Sequence, residues 1–139
     1  MTISAFKSLG IKQAIDVKIK EIQSLYLQNK IPWVIGYSGG KDSTAVTQIT
    51  WLAISQLPKN KRKKPIYVIT TDTMVENPVV SNWVENSLEL MKIEAKNSEM
   101  PIKPNLLKPV LKDRFWVNLI GKGYPAPRRG FRWCTDRLK

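Results

Sequence analysis

The stretch Pro32-Trp33-Val34-Ile35-Gly36-Tyr37-Ser38-Gly39-Gly40-Lys41-Asp42-Ser43-Thr44 decides the fold. Its first half is an apolar run too brief for a helix, bounded by Pro32 and by glycines, and it predicts a buried strand. Beyond Asp42, the apolar positions Val46, Ile49, Leu52 or Ala53, and Leu57 keep helical spacing until Pro58 stops the pattern. A strand that ends in glycines and turns directly into a helix aims several backbone N–H groups, and the positive end of the helix dipole, at one point. Gly39 and Gly40 let the backbone approach an anion without a side-chain clash, and Lys41 adds a point charge. The hydroxyls of Ser38, Ser43 and Thr44 donate further bonds. The stretch therefore reads as a phosphate cradle, against the plainer alternative of a glycine-rich turn with no ligand.

Two familiar phosphate loops are excluded by spacing. G-x-x-x-x-G-K-[ST] requires a glycine five positions before the Gly-Lys pair and a hydroxyl residue after it. Here Gly36 is one position too close and Asp42 follows Lys41. The dinucleotide pattern G-x-G-x-x-G fails because Gly39 and Gly40 are adjacent.

Working outward, Ile11, Ile15, Ile19, Ile22 and Tyr26 recur every three or four residues and predict an amphipathic helix over 11–28. Asn60-Lys61-Arg62-Lys63-Lys64 is a basic turn, either a solvated connection or a phosphate-backbone contact. Pro65-Ile66-Tyr67-Val68-Ile69-Thr70-Thr71 predicts a second buried parallel strand. Asp72 then falls at a carboxyl end, the position that faces ligand in open α/β sheets. It is read either as a group facing a nucleoside or magnesium, or as an ordinary turn carboxylate. Asp42 is likewise either a catalytic group or a first-turn carboxylate stabilised by the dipole. Asn77-Pro78 signals a helix start, with Val80, Trp83 or Val84, Leu88 and Met91 on its buried face. Pro104 and Pro109 limit Ile102–Val110 to an edge strand or irregular segment, and Phe115, Trp116, Leu119 and Ile120 suggest a short helix closed by Gly121. Alternating strands and helices predict an α/β fold, a parallel sheet with helices on both faces and right-handed crossovers.

With 139 residues, 42% of them hydrophobic, the chain suits one compact domain over residues 31–139 behind a helical lead-in, residues 1–30. No run of signal-peptide or membrane-spanning length occurs in the first thirty residues, so a cytoplasmic protein with no membrane partner is expected. Twenty-three Lys and Arg against eleven Asp and Glu give +12, which favours nucleic acid or an acidic protein as partner over mere accommodation of nucleotide phosphates. A single cysteine and no histidine exclude an internal disulfide and a conventional zinc site built by this chain alone.

The last stretch, Tyr124-Pro125-Ala126-Pro127-Arg128-Arg129-Gly130-Phe131-Arg132-Trp133-Cys134-Thr135-Asp136-Arg137-Leu138-Lys139, has neither helical nor strand period and reads as a functional loop. Five cationic side chains flank Cys134 and favour its thiolate, the nucleophilic and metal-binding form; the alternative is a buried structural cysteine.

Ser38-Gly39-Gly40-Lys41-Asp42-Ser43 after a strand resembles the PP-loop of the ATP pyrophosphatase superfamily, whose fold is the adenine nucleotide α-hydrolase-like, Rossmann-like three-layer sandwich. Arg132-Trp133-Cys134 to Lys139 is similar to the signature of its phosphoadenosine-phosphosulfate reductase-like branch. With Asp72-Thr73-Met74-Val75-Glu76-Asn77-Pro78 and Gly121-Lys122-Gly123-Tyr124-Pro125-Ala126-Pro127, residues 32–139 most resemble the N-terminal part of the DNA phosphorothioation sulfurtransferase (Dnd C) family.

The resemblance implies that the loop, residues 38–44, holds the β and γ phosphates of ATP, with Lys41, Asp42 and Cys134 in the chemistry. It also implies Asp72 and Arg132 at the nucleotide, Mg2+ near Asp72, and pyrophosphate as leaving group. A [4Fe–4S] cluster with Cys134 as one ligand is implied as well, with DNA, a cysteine desulfurase and other components of a DNA phosphorothioation complex as partners. Two departures stand out. Such a cluster ordinarily takes four thiolates, whereas this chain has Cys134 alone; family members are also longer, so the sequence reads as a truncated or reduced homologue. Two other readings stay open: a phosphoadenosine-phosphosulfate reductase-like or tRNA-thiolating enzyme, and a non-catalytic nucleotide-sensing or assembly module.

Overall fold

The structure, a computed structural model, describes residues 10–134. Three helices, α1 (Gly10–Gln28), α2 (Lys41–Ser55) and α3 (Pro78–Asn97), alternate with three strands, β1 (Trp33–Gly36), β2 (Ile66–Thr71) and β3 (Ile102–Leu107). The strands form one parallel sheet in the order β1-β2-β3, flanked by helices, and the fold is α/β. β3 lies at an edge, which is why Pro104 is tolerated in it. No helix among the described residues is long and apolar enough to cross a membrane.

Register explains where the core lies. Trp33, Ile66 and Ile102 are partners across the sheet, as are Ile35, Val68 and Pro104, and period-two alternation puts all six on one face. On that face Ile35, Ile66, Val68 and Ile102 join Ile54 and Leu57 after β1, Val84, Leu88 and Ala95 of α3, and Tyr26 of α1 in a single buried cluster. The alternate positions Val34 and Leu107 are exposed.

The helices occur where expected, but their buried faces are partly different. Ile19 and Tyr26 of α1 are buried, whereas Ile11 and Ile15 are exposed. In α2 the buried side chains are Thr47, Thr50, Ala53 and Ile54, while Val46 and Leu52 face outward. Thr47 and Thr50 fit the interior because their hydroxyls donate to the carbonyls of Ser43 and Val46, both at 2.8 Å, so neither is buried unsatisfied. In α3, Val84 and Leu88 are buried, with Val80 and Trp83 outside.

In the basic turn Asn60, Lys61 and Lys63 are exposed as expected, and Lys64 departs from that reading. Lys64 is not a solvated residue: it is 6% exposed, with Nζ 4.4 Å from the Trp33 ring centre and 4.9 Å from that of Tyr26. The Tyr26 hydroxyl donates to the Lys64 carbonyl at 2.7 Å, tying α1 to the start of β2. The expected short helix after Arg114 ends as a π-helical turn, Val117–Gly121, around fully buried Asn118. The Asn118 amide donates to the carbonyls of Lys112 and Arg114, and its oxygen accepts from Lys122.

Candidate nucleotide-binding site

α2 begins at Lys41, directly after the glycines, with Gly40 as its N-cap and no side chain capping its first N–H groups. Lys41, Asp42 and Ser43 occupy the first turn, where backbone N–H groups have no intrahelical acceptor. α3 is different, because Asn77 accepts from the backbone N–H of Val79 at 2.9 Å. Of α2 and α3, the helix that starts at the loop is the one whose first-turn donors have no side-chain cap, an arrangement that can accept an anion.

The serines shape the loop. Ser43 Oγ accepts from the Ser38 N–H at 3.2 Å, lies 3.1 Å from Ser38 Oγ, and donates to the Gly40 carbonyl at 3.1 Å. Gly39 has φ +73°, the left-handed region that glycine enters freely. A Cβ there would lie 2.7 Å from Val84 Cγ2 and 3.4 Å from Trp83 Cδ1. Gly40, at φ −79° and ψ 166°, is ordinary extended backbone whose added Cβ would meet only Ser38 Oγ, at 3.4 Å. The two glycines therefore differ: Gly39 lets the loop pass close under α3, whereas the space over Gly40 is open apart from Ser38 Oγ. Lys41 and Asp42 are exposed, Ser43 and Thr44 partly buried, and the Thr44 N–H makes the first bond of α2, to Gly40.

Beside the loop is a cavity of about 480 Å³ at the carboxyl ends of the strands. Its size suits a small-molecule ligand. Gly36, Tyr37 and Ser38 enter from β1, Ile69 to Asp72 from β2, and Val80, Ser81, Val84 and Glu85 from α3. Its inner wall is fixed by Thr70, whose buried hydroxyl donates to the Tyr37 carbonyl at 2.6 Å.

Asp72 lies at the end of β2 as expected, with its side chain 14% exposed. One carboxylate oxygen accepts from the Met74 N–H at 2.8 Å, and the other faces Lys108 Nζ at 3.6 Å. That first bond is an Asx turn and supports Met74 in its left-handed conformation, φ 61°. Asp72 is thus both a turn carboxylate and a cavity wall. Lys108 also faces Glu85 at 3.5 Å, and Glu85 and Glu76 are the other carboxylates of the lining. Among the described residues no group of three or more His, Cys, Asp or Glu could hold a metal ion.

Of the expected site residues, Ser38 and Asp72 line the cavity; Gly39, Gly40, Lys41, Asp42, Ser43 and Thr44 lie outside its wall, as do Arg132 and Cys134. Arg132 is exposed and Cys134 is a partly buried free thiol. Its neighbour Trp133 is the anchor of that loop: it is 8% exposed, stacks on Phe115 at 5.4 Å, meets Tyr124 edge-on, and donates from Nε1 to the Pro125 carbonyl at 2.8 Å. Thr135, Arg137 and Lys139 of the expected cysteine loop, and the first nine residues of the lead-in, lie outside the described residues.

Sequence reasoning missed Thr70, Glu76, Ser81, Glu85 and Lys108 as site residues. The signal for Ser81 and Glu85 was present, because the Asn77-Pro78 start placed the first turns of α3 beside the strand ends. For Lys108 there was none, since its pairing with Asp72 depends on the adjacency of β2 and β3.

No family model, no curated protein and no solved structure matches the chain.

Proposed function

We propose that this chain is an ATP-dependent sulfurtransferase component of DNA phosphorothioate modification, which cleaves ATP between its α and β phosphates to activate a DNA phosphate. The observation that carries the reading is the uncapped start of α2 at Ser38–Ser43, opening beside the cavity at the strand ends. The sequence match to the PP-loop and the net charge of +12 support it.

In this reading the first-turn N–H groups, the Ser38 and Ser43 hydroxyls and Lys41 grip the β and γ phosphates. The nucleoside lies in the cavity between Tyr37, Ile69 and Val80. That grip leaves the α phosphorus open. A DNA phosphate oxygen attacks it, the bond from the α phosphorus to the bridging oxygen breaks, and pyrophosphate leaves with the negative charge that the loop neutralises. The persulfide of a cysteine desulfurase then attacks the activated DNA phosphorus and expels AMP, and a thiol reductant supplies the two electrons that break the remaining S–S bond, freeing the desulfurase and leaving sulfur on the DNA.

Magnesium bound with ATP commonly takes one or two protein carboxylates plus the phosphates themselves. Asp72 on the cavity wall suits that role, and the ion would share in neutralising the leaving group. The iron–sulfur cluster does not fit this chain, whose only cysteine is Cys134, and no step is assigned to it.

The test uses ATP labelled at the α phosphate, with the full chain, duplex DNA and the desulfurase partner. AMP and pyrophosphate are expected, and release of ADP and phosphate in their place sinks the mechanism. Lys41→Ala should weaken nucleotide binding about ten- to a hundredfold, the effect of removing one charge-assisted hydrogen bond. Because Lys41 is exposed, stability should change by less than about 0.5 kcal/mol.

A further inference from the structure

A second cavity, about 680 Å³, lies at the opposite pole of the sheet. Its wall includes Lys30, Lys61, Lys63 and Lys64 with Asn29 and Tyr26, and no carboxylate. Glu99, the acidic residue near the turn, is engaged elsewhere, with Lys59 at 2.6 Å. Lys30, Lys61 and Lys63 are exposed.

Lys64 is the unusual member. It is buried against Tyr26 and Trp33, and its ammonium, which has three donors, makes a single long hydrogen bond, 3.4 Å to Asn29 Oδ1. Asn29 Oδ1 already accepts from the Ile31 N–H at 3.1 Å. Burial holds the Lys64 pKa below the usual lysine value. Two ring faces and one long hydrogen bond leave the Lys64 ammonium with donors to spare in a concave ring of lysines, an arrangement that favours an anion. Four lysines and no carboxylate in the wall favour an anion over a neutral ligand, and the concavity suits a discrete phosphate better than a flat membrane plane.

We propose that this pocket is an anchoring site for the phosphodiester backbone of a nucleic acid, separate from the nucleotide site. Its volume exceeds what a lone phosphate needs and accommodates the attached sugar. Pro65 opens β2 and Asp72 follows it, so the two cavities are separated by a six-residue strand, about 20 Å. The pocket therefore holds backbone remote from any phosphate reacting at the loop. It stands whether or not the loop takes ATP.

The experiment titrates the full chain into a fluorescent 20-base-pair duplex over a range of salt, with ATP binding measured in parallel by calorimetry. Lys30→Gln/Lys61→Gln/Lys63→Gln is compared with Lys12→Gln/Lys20→Gln/Lys96→Gln, which removes the same charge from exposed helix positions. The pocket variant should lose at least tenfold in affinity. Its slope of log K against log salt should shrink by about 2 to 3, near 0.9 for each phosphate no longer neutralised. The control variant should change much less, and ATP binding should not change in either. Equal losses in both variants, or none in the pocket variant, overturn the assignment. Displacement of the duplex by micromolar inorganic phosphate also overturns it, in favour of a small-anion site. As a mutation-free readout, the Lys64 pKa followed by NMR should rise when the duplex binds, and an unchanged value counts against the site.

Discussion

Replacing each glycine of the loop by alanine separates what the fold requires from what the ligand requires. At Gly39 the added methyl lies 2.7 Å from Val84 Cγ2, well inside contact distance, and Val84 is itself only 7% exposed and cannot swing away. The residue also keeps φ +73°. The left-handed conformation costs alanine roughly 1–2 kcal/mol and the overpacking roughly 1–3 kcal/mol, so Gly39→Ala should lose roughly 2–5 kcal/mol. For a domain of this size that lowers Tm by roughly 6–20 °C. Gly40→Ala keeps allowed backbone angles and meets only Ser38 Oγ at 3.4 Å. The poorer N-cap should cost it no more than about 1 kcal/mol, while its methyl obstructs the anion approach. Urea unfolding followed by tryptophan fluorescence gives the stabilities, and calorimetry with ATP gives the affinities. The expected pattern is a destabilised Gly39→Ala, and a Gly40→Ala that folds normally and binds ATP poorly. Equal stability losses in the two variants, or a Gly39→Ala loss below about 1 kcal/mol, would falsify the division of labour.

Three further outcomes are expected. Asp72→Asn keeps the acceptor for the Met74 N–H and loses the charge facing Lys108, so thermal melting should change little while Mg·ATP affinity falls, checked by calorimetry with and without the ion. Tyr26→Phe strips the buried Lys64 carbonyl of its donor and should cost about 1–3 kcal/mol in urea unfolding. Burial raises the Tyr26 pKa above 10.0, so its neutral form stabilises the fold below that value; the contribution is lost as pH rises through the higher folded-state pKa, and Tyr26→Phe should flatten that alkaline fall. Glu99 takes the left-handed position after α3, φ 50°, with the Met100 N–H donating to the Ala95 carbonyl, an end that favours glycine. Glu99→Gly should raise Tm by a few degrees despite losing the exposed Lys59 pair.

The parts of the fold legible in the sequence were those with local causes. Strand β2 follows from its β-branched run, α3 from Asn77-Pro78, and the strand–loop–helix at residues 33–55 from two glycines between an apolar run and a helical period. Helix faces were less legible, because α2 carries apolar residues all round and the choice falls to threonines that satisfy their own hydroxyls on the preceding turn. Lys64 was illegible for a related reason: its place depends on two aromatic rings distant in sequence, Tyr26 and Trp33, closing on its ammonium. At the site, the loop was visible in composition and spacing, but the separate duties of Gly39 and Gly40 were not. Those duties depend on where α3 crosses, which is tertiary information.

The register of the sheet also bears on how the chain acquires its structure. Trp33 pairs with Ile66, and Ile66 with Ile102, so each strand pairing closes a loop of about thirty residues or more, with no hairpin to start from. Helices need only local contacts, and α2 and α3 lie inside the two loops that must close. The expected order is therefore helices first and sheet last. The loop Ser38–Ser43, which requires both the end of β1 and the approach of α3 over Gly39, is then among the final features to form.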